Sequence, residues 1–219
     1  MNVLLFGATG MVGQGVLREA LIDPGVTRVL VVGRSSIGRQ DPKLRELVVP
    51  DVANLSAIET ELTGFDVCLF CLGVSSAGMT EAQYTRLTCD LTLAIAATLA
   101  RLNPAMTFVY VSGAGTDGTE RGRVMWARVK GRTENALLRM PFKAAYMVRP
   151  GLIIPLHGIR SRTPWVQTLL TVTRPLHPLM QKLGPGAVTT TEQLGRALLT
   201  LGRNGYPAHV LEMRDINAL

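Results

Sequence analysis

The sequence predicts a doubly wound α/β protein, a mainly parallel sheet with helices on both faces, and three observations carry that prediction. Short charge-free apolar runs alternate with stretches of helical period along the chain. The first run, Val3 to Phe6, stops at three evenly spaced glycines, Gly7, Gly10 and Gly13, which open straight into a helix. A second apolar run, Val29 to Val32, follows that helix and completes a strand–helix–strand unit with the glycines at its first crossover.

An apolar run of this kind suits a parallel strand buried on both faces. After it, Val12, Val16, Leu17, Ala20 and Leu21 share one helical face. A strand that turns through glycines into a helix aims free backbone N–H groups and the positive end of the helix dipole at one spot, where phosphate binds. Gly7 suits the tight turn, Gly10 the close approach of a pyrophosphate, and Gly13 close packing of helix on strand. The alternative is a glycine-rich turn that binds nothing. The segment GATGMVG resembles the cofactor loop of the short-chain dehydrogenase/reductase superfamily in its extended and atypical branches. That resemblance implies dinucleotide contacts at Gly7, Thr9, Gly10, Met11, Val12 and Gly13.

Asp23-Pro24-Gly25 is a turn, Arg28 to Val32 the second strand, and Gly33-Arg34-Ser35-Ser36 follows. Dinucleotide sites place an acid about 20 residues beyond the glycines for NAD, whereas an arginine there accommodates the 2′-phosphate of NADP. Here that position offers Arg34, Ser35 and Ser36, and no acid before Asp41. The expectation is therefore NADP(H) rather than NAD(H). Leu47 to Val49 read as the third strand, and Asn54 to Leu62 as a short helix. In the resembling family an aspartate after the third strand contacts adenine, which Asp51 and Val52 match; a carboxylate capping the next helix is the other reading of Asp51. Asp66 to Leu72 form the fourth strand. Leu72, Gly73 and Val74 then lead into a small polar loop, to about Thr80, where the superfamily places the nicotinamide side.

Glu81 to Leu102 have a sustained helical pattern, with Tyr84, Leu87, Leu91, Ile95 and Leu99 as a core stripe ended by Asn103-Pro104. Thr107 to Val111 are the fifth strand, whose end opens on the crevice where α/β enzymes place their sites. Ser112 there matches the superfamily's catalytic serine, or satisfies a turn. The helix from about Gly122 to Met140 contains WARVKG. Family members carry Tyr-x-x-x-Lys at this place, two groups one turn apart that reach the same ligand. Lys130 matches the lysine, as a catalytic and ribose-binding residue, but Trp126 stands where the tyrosine should be. An indole only donates and cannot serve as the tyrosine's acid. Ala145 to Val148 are the sixth strand, and MVRPGLI resembles the family segment bordering the nicotinamide, which implies contacts from Pro150, Gly151 and Leu152.

From 152 to 188 the pattern is irregular and broken by prolines, a segment expected on the substrate side as a cap. Within it Trp165 to Val172 are apolar, open also to readings as an oligomer contact or a membrane-surface element. Thr189 to Leu201 read as a helix and His209 to Met213 as a last strand. The short C-terminal part and V-K-G resemble the atypical group that includes the tumour-suppressor TIP30-like proteins, alongside the NAD-dependent epimerase-like branch.

The chain's 219 residues suit one dinucleotide-binding domain. Its net charge of +7 is dispersed, without a basic run interleaved with aromatics, so nucleic acid is not expected as a partner. Cys68 and Cys71 sit three apart on one strand and therefore on opposite faces, as buried thiols rather than a redox pair. No metal-ligand spacing joins them to the histidines, and no metal is expected. The first residues lack a signal-peptide pattern and no stretch is long enough to span a bilayer, so the expectation is a cytoplasmic protein, with a homo-oligomer left open. Two functions follow: an NADP-dependent oxidoreductase on an unknown small substrate, or a non-catalytic dinucleotide-binding regulator, which Trp126 favours.

Overall fold

A computed structural model describes residues 1–160 and 186–219. Seven strands form one sheet: β1 (Asn2–Phe6), β2 (Arg28–Gly33), β3 (Leu44–Val48), β4 (Val67–Phe70), β5 (Thr107–Val111), β6 (Ala144–Val148) and, near the C-terminus, β9 (Val210–Leu211). Their order is β3-β2-β1-β4-β5-β6-β9, and every neighbouring pair is parallel. This is the doubly wound order, with the chain reversing its direction of travel at β1. Two further strands, β7 (Leu152–Ile154) and β8 (Val188–Thr190), pair parallel as a separate ribbon.

Period-two alternation sorts the strand residues into two cores. Val3, Leu5, Val31, Leu69 and Val109 face helix α1 (Met11–Ile22) and helix α5 (Thr191–Asn204). Leu4, Phe6, Val32, Phe70, Phe108 and Tyr110 face the other side, against Ile95 and Leu99 of α3 (Leu91–Leu102) and Leu137 of α4 (Met125–Leu138). The rings of Phe6, Phe70 and Phe108 run in contact across the strands, with centroids 5.7 and 5.6 Å apart. Cys68 belongs to the second core while Cys71 packs against the first, on opposite faces of the sheet. Burial pushes the Cys71 thiol up to about 12 and Cys68 up as well, so neither is a thiolate at neutral pH.

Several boundaries differ from expectation for identifiable reasons. Strand β3 starts at Leu44 rather than Leu47, because it is an edge strand whose polar Arg45 and Glu46 hide it from an apolar-run reading. The expected helix at 54–62 is a 3-10 helix at Ser56–Leu62. Helix α2 (Glu81–Thr85), opened by a Thr80–Gln83 capping box, joins α3 through a π-helical turn at Arg86–Asp90. That wider turn shifts the register, so Leu87 is 45% exposed instead of lying in the stripe, while Tyr84, Ile95 and Leu99 are buried. The last expected strand is shortened to Val210–Leu211 because Met213 already belongs to α6 (Met213–Ala218). The stretch from 152 to 188, expected irregular, contributes β7 and β8 at its two ends. The apolar stretch Trp165 to Val172 lies outside the described residues.

Candidate functional site

Gly7 ends β1 with a φ of +84°. A Cβ there would lie 2.6 Å from the Cys71 carbonyl, so only glycine lets the loop cross the end of β4. At Gly13 a Cβ would come within 2.1 Å of the Gly7 carbonyl oxygen, which shows how tightly the first turn of α1 sits on the loop. Gly10 differs: the nearest atom to its added Cβ is the Gly7 oxygen at 3.4 Å, and otherwise its outer side is open. It is the N-cap of α1, with no side-chain cap and no acid in the first turn. The first intrahelical bond runs from Gln14 N–H to the Gly10 carbonyl at 2.9 Å, so helix geometry leaves the N–H groups of Met11, Val12 and Gly13 without intrahelical acceptors. An uncapped helix end behind an open glycine suits a pyrophosphate in charge and shape.

Two adjoining cavities flank this loop. The smaller, about 80 Å³, is lined by Gly7, Ala8, Thr9, Gly33, Arg34, Ser35, Val52 and Leu72 among others. It brings together the loop, the end of β2 and the turns after β3 and β4, and so six of the expected cofactor contacts. The larger, about 590 Å³, shares Ala8, Thr9, Ser35 and Ile37 and extends over α1 to Arg18, Arg39, His157 and Arg160. Part of the chain's dispersed positive charge is thus collected beside the glycines, which no run in the sequence announced. No carboxylate lines either cavity among the described residues. Glu46 of β3 is turned to structure: it accepts from the Ser36 hydroxyl at 2.8 Å and the Ile37 N–H at 2.6 Å, so that serine is already engaged. Asp51 lines neither cavity and accepts the Ala53 N–H at 2.9 Å, in a local turn.

The other half of the site lies at the end of β5. Ser112 is 8% exposed; its N–H donates to the Val148 carbonyl at 2.7 Å, and its hydroxyl lies 3.0 Å from that of Thr116. Helix α4 is held against the following loop by Gly131, where a Cβ would sit 1.8 Å from the Asp117 carbonyl oxygen. Sequence reasoning gave that glycine no role, although it immediately follows Lys130. Trp126 is half-buried, and its ring edge comes within 3.6 Å of a Cβ built on Gly115. One turn later Lys130 places its Nζ 5.5 Å from the centroid of the Tyr110 ring. Lys130 is half-buried, and burial pulls its ammonium down to about 8, offset in part by the Glu134 charge.

Glu134, one further turn along α4, is 1% exposed and accepts from Arg149 Nε at 3.1 and 3.2 Å and from Nη2 at 2.5 Å. Arg149 also donates to Glu212, the N-cap of α6, at 3.0 Å. Immediately after it, the Pro150 carbonyl accepts the Ala114 N–H at 2.9 Å and the Gly151 N–H reaches Met213 Sδ at 3.0 Å. The segment expected to border the nicotinamide, Pro150 to Leu152, is thereby tied to the Ser112 loop, to α4 and to α6. Gly73 and Val74 are exposed on the loop after β4. Glu134 and Arg149 were not singled out from the sequence; the i, i+4 relation of Lys130 and Glu134 was the available signal.

The strand order and the all-parallel pairing define a Rossmann-type α/β fold. The enzyme WbmF of Bordetella bronchiseptica, solved in complex with NAD+, superposes with a TM-score of 0.68 at 16% identity, over 99% of this chain and 76% of that one. In sequence, the chain is 31% identical over 166 residues to the mitochondrial protein Fmp52 of Saccharomyces cerevisiae, covering 74% of this chain and 69% of the yeast protein. It is also 31% identical over 159 residues to the mitochondrial protein fmp52 of Emericella nidulans, of which that stretch spans 66%. The chain belongs to the Fmp52 family. No protein-family model matches it. The names of these relatives correct one expectation: they are mitochondrial proteins, which overturns a cytoplasmic assignment drawn from the lack of a signal-peptide pattern. That pattern reports on secretion and leaves other compartments open. Among the described residues no helix is long and apolar enough to cross a membrane.

Proposed function

We propose that the chain is an NADP(H)-dependent oxidoreductase that interconverts a small carbonyl compound and its alcohol. The observation that carries the reading is the placement, at the carboxyl ends of the parallel strands, of an uncapped glycine-framed helix end after β1 and a buried serine hydroxyl after β5, with Lys130 over the Tyr110 ring of that strand. Gly7, Thr9, Gly10, Met11, Val12 and Gly13 would hold the pyrophosphate, and Arg34, Ser35, Val52 and Leu72 the adenosine, with Asp51 outside the cavity wall. Gly73, Val74, Pro150, Gly151 and Leu152 would border the nicotinamide, which when bound supplies or accepts a hydride. Ser112 would hold the substrate oxygen, and Lys130 the ribose and the charge near it. Arg34 and the free Ser35 hydroxyl, with Glu46 bonded elsewhere, support NADP(H) over NAD(H).

Calorimetric titration with NADPH and NADH, followed by assay on small aldehydes and quinones, tests this. Binding of NADPH well below millimolar and measurable turnover are expected. A dissociation constant above about 1 mM for both nucleotides, where binding is worth only about 4 kcal/mol, would defeat the reading. Trp126 supports a second reading, a dinucleotide-dependent sensor without chemistry, whose signature is tight NADPH binding with no turnover.

A further inference from the structure

We infer that Lys130 is itself the proton donor for the bound substrate, in the place a tyrosine at position 126 would fill; this rests on the oxidoreductase reading above. The geometry of α4 carries the argument. Trp126 lies one turn before Lys130 and presents an indole N–H, which is not an acid at any accessible pH. Lys130 Nζ lies over the Tyr110 ring, and Ser112 follows two residues later on the same face of the β5 line, so the ammonium and the buried hydroxyl share one side of the sheet. The carboxylate that could neutralise it, Glu134, has both oxygens bonded to Arg149.

Other titratable groups around it are poor donors. From β5 burial pushes the Tyr110 hydroxyl up, and from the helical segment at 81–90 burial does the same to Tyr84 and Cys89. The charged neighbours are Glu134 on its own helix and Arg149 behind it at the end of β6. In reduction, with a bound reduced nicotinamide as the source of the hydride for the carbonyl carbon, the carbonyl oxygen would take its proton from Nζ as the C=O π bond breaks. Lys130 is left as a neutral amine and recovers its proton from water. Reduction therefore needs the ammonium and falls as pH rises through about 8, whereas alcohol oxidation needs the free amine and rises over the same range.

The test uses the full chain with NADPH and the probes nitrobenzaldehyde and phenanthrenequinone. Lys130→Met should lower the rate of reduction at saturating NADPH about a hundredfold or more, beyond any loss of NADPH affinity that follows from removing the ribose contact. Lys130→Arg, which keeps the charge and holds its proton, should be equally slow, and ethylamine should restore part of the activity of Lys130→Ala. A readout independent of activity is the NMR titration of the ε-ammonium signal lost in Lys130→Met, expected with its midpoint near 8 in the protein without nucleotide. A midpoint at the ordinary lysine value of about 10.4, full activity of Lys130→Arg, or a loss confined to NADPH affinity would overturn the inference and leave the oxidoreductase reading intact. Failure of the wild type to bind NADPH or to turn over either probe would instead remove that reading and the inference with it.

Discussion

At the scale of single residues the three glycines are not equivalent. Gly7 and Gly13 are excluded from change by backbone atoms of the protein itself, at 2.6 and 2.1 Å from an added Cβ, so their substitution tests folding. Gly10 has room, which makes it the informative position. Gly10→Val should leave the unfolding midpoint nearly unchanged and abolish NADPH binding, because the side chain would fill the space in front of the α1 N–H groups; unaltered affinity by calorimetry would show that the loop binds nothing. Arg34 lines the smaller cavity and is exposed. A charge-assisted contact to phosphate is worth about 1.5 to 3 kcal/mol, so Arg34→Ala should weaken NADPH about ten- to a hundredfold and spare NADH. Side-by-side titrations check it, and equal wild-type affinities for the two nucleotides would place the guanidinium in solvent.

At the scale of elements, α4 is the piece that decides between an enzyme and a sensor. It carries Trp126, Lys130 and Glu134 at successive turns of one face, and Gly131 lets the loop from Ser112 to Gly118 lie directly on it. Replacing Trp126 by tyrosine puts a phenol one turn from the ammonium, where a nearby positive charge lowers its pKa toward the working range. Trp126→Tyr should therefore keep NADPH affinity within a few fold and raise carbonyl reduction at least tenfold, read in a spectrophotometric assay. Undiminished wild-type turnover in Trp126→Phe, with no gain in the tyrosine variant, would show that position 126 lies outside the proton path. On the opposite face of the sheet, α1 and α5 approach closely through Gly15 and Gly195, whose added Cβ atoms would lie 2.7 Å from Thr191 and Glu19. That contact packs α1 against α5 behind the glycine loop.

At the scale of the molecule, one ion cluster joins parts that are distant in sequence. Arg149 links Glu134 on α4 to Glu212 at the start of α6, and the segment it begins is also bonded to the loop after β5. Removing one partner of such a buried pair strands a charge, at a cost of about 3 to 5 kcal/mol. Arg149→Met should lower the stability measured by urea unfolding by about that amount, and adding Glu134→Gln should recover part of the loss. A loss below about 1 kcal/mol would mean that water replaces the guanidinium.

The sequence by itself determined the parallel α/β architecture and its glycine loop, because strands buried on both faces must be charge-free and because the glycines fall where a strand meets a helix. It also placed β5 to the residue, at Thr107 to Val111, since β-branched and aromatic residues there end abruptly at Ser112-Gly113. Where local pattern is silent, tertiary structure decided. The polar edge strand β3 and the ribbon of β7 with β8 have partners but no apolar signature, and the π turn that moves Leu87 outward has no sequence period of its own. The same holds for the site. Which arginines gather beside the glycines, that Glu46 is bonded to Ser36 and Ile37, and that Lys130 lies above Tyr110 with Glu134 taken by Arg149 are all settled by tertiary packing. They depend on contacts between residues far apart in the chain, and burial and charge acquire their values only when those residues meet.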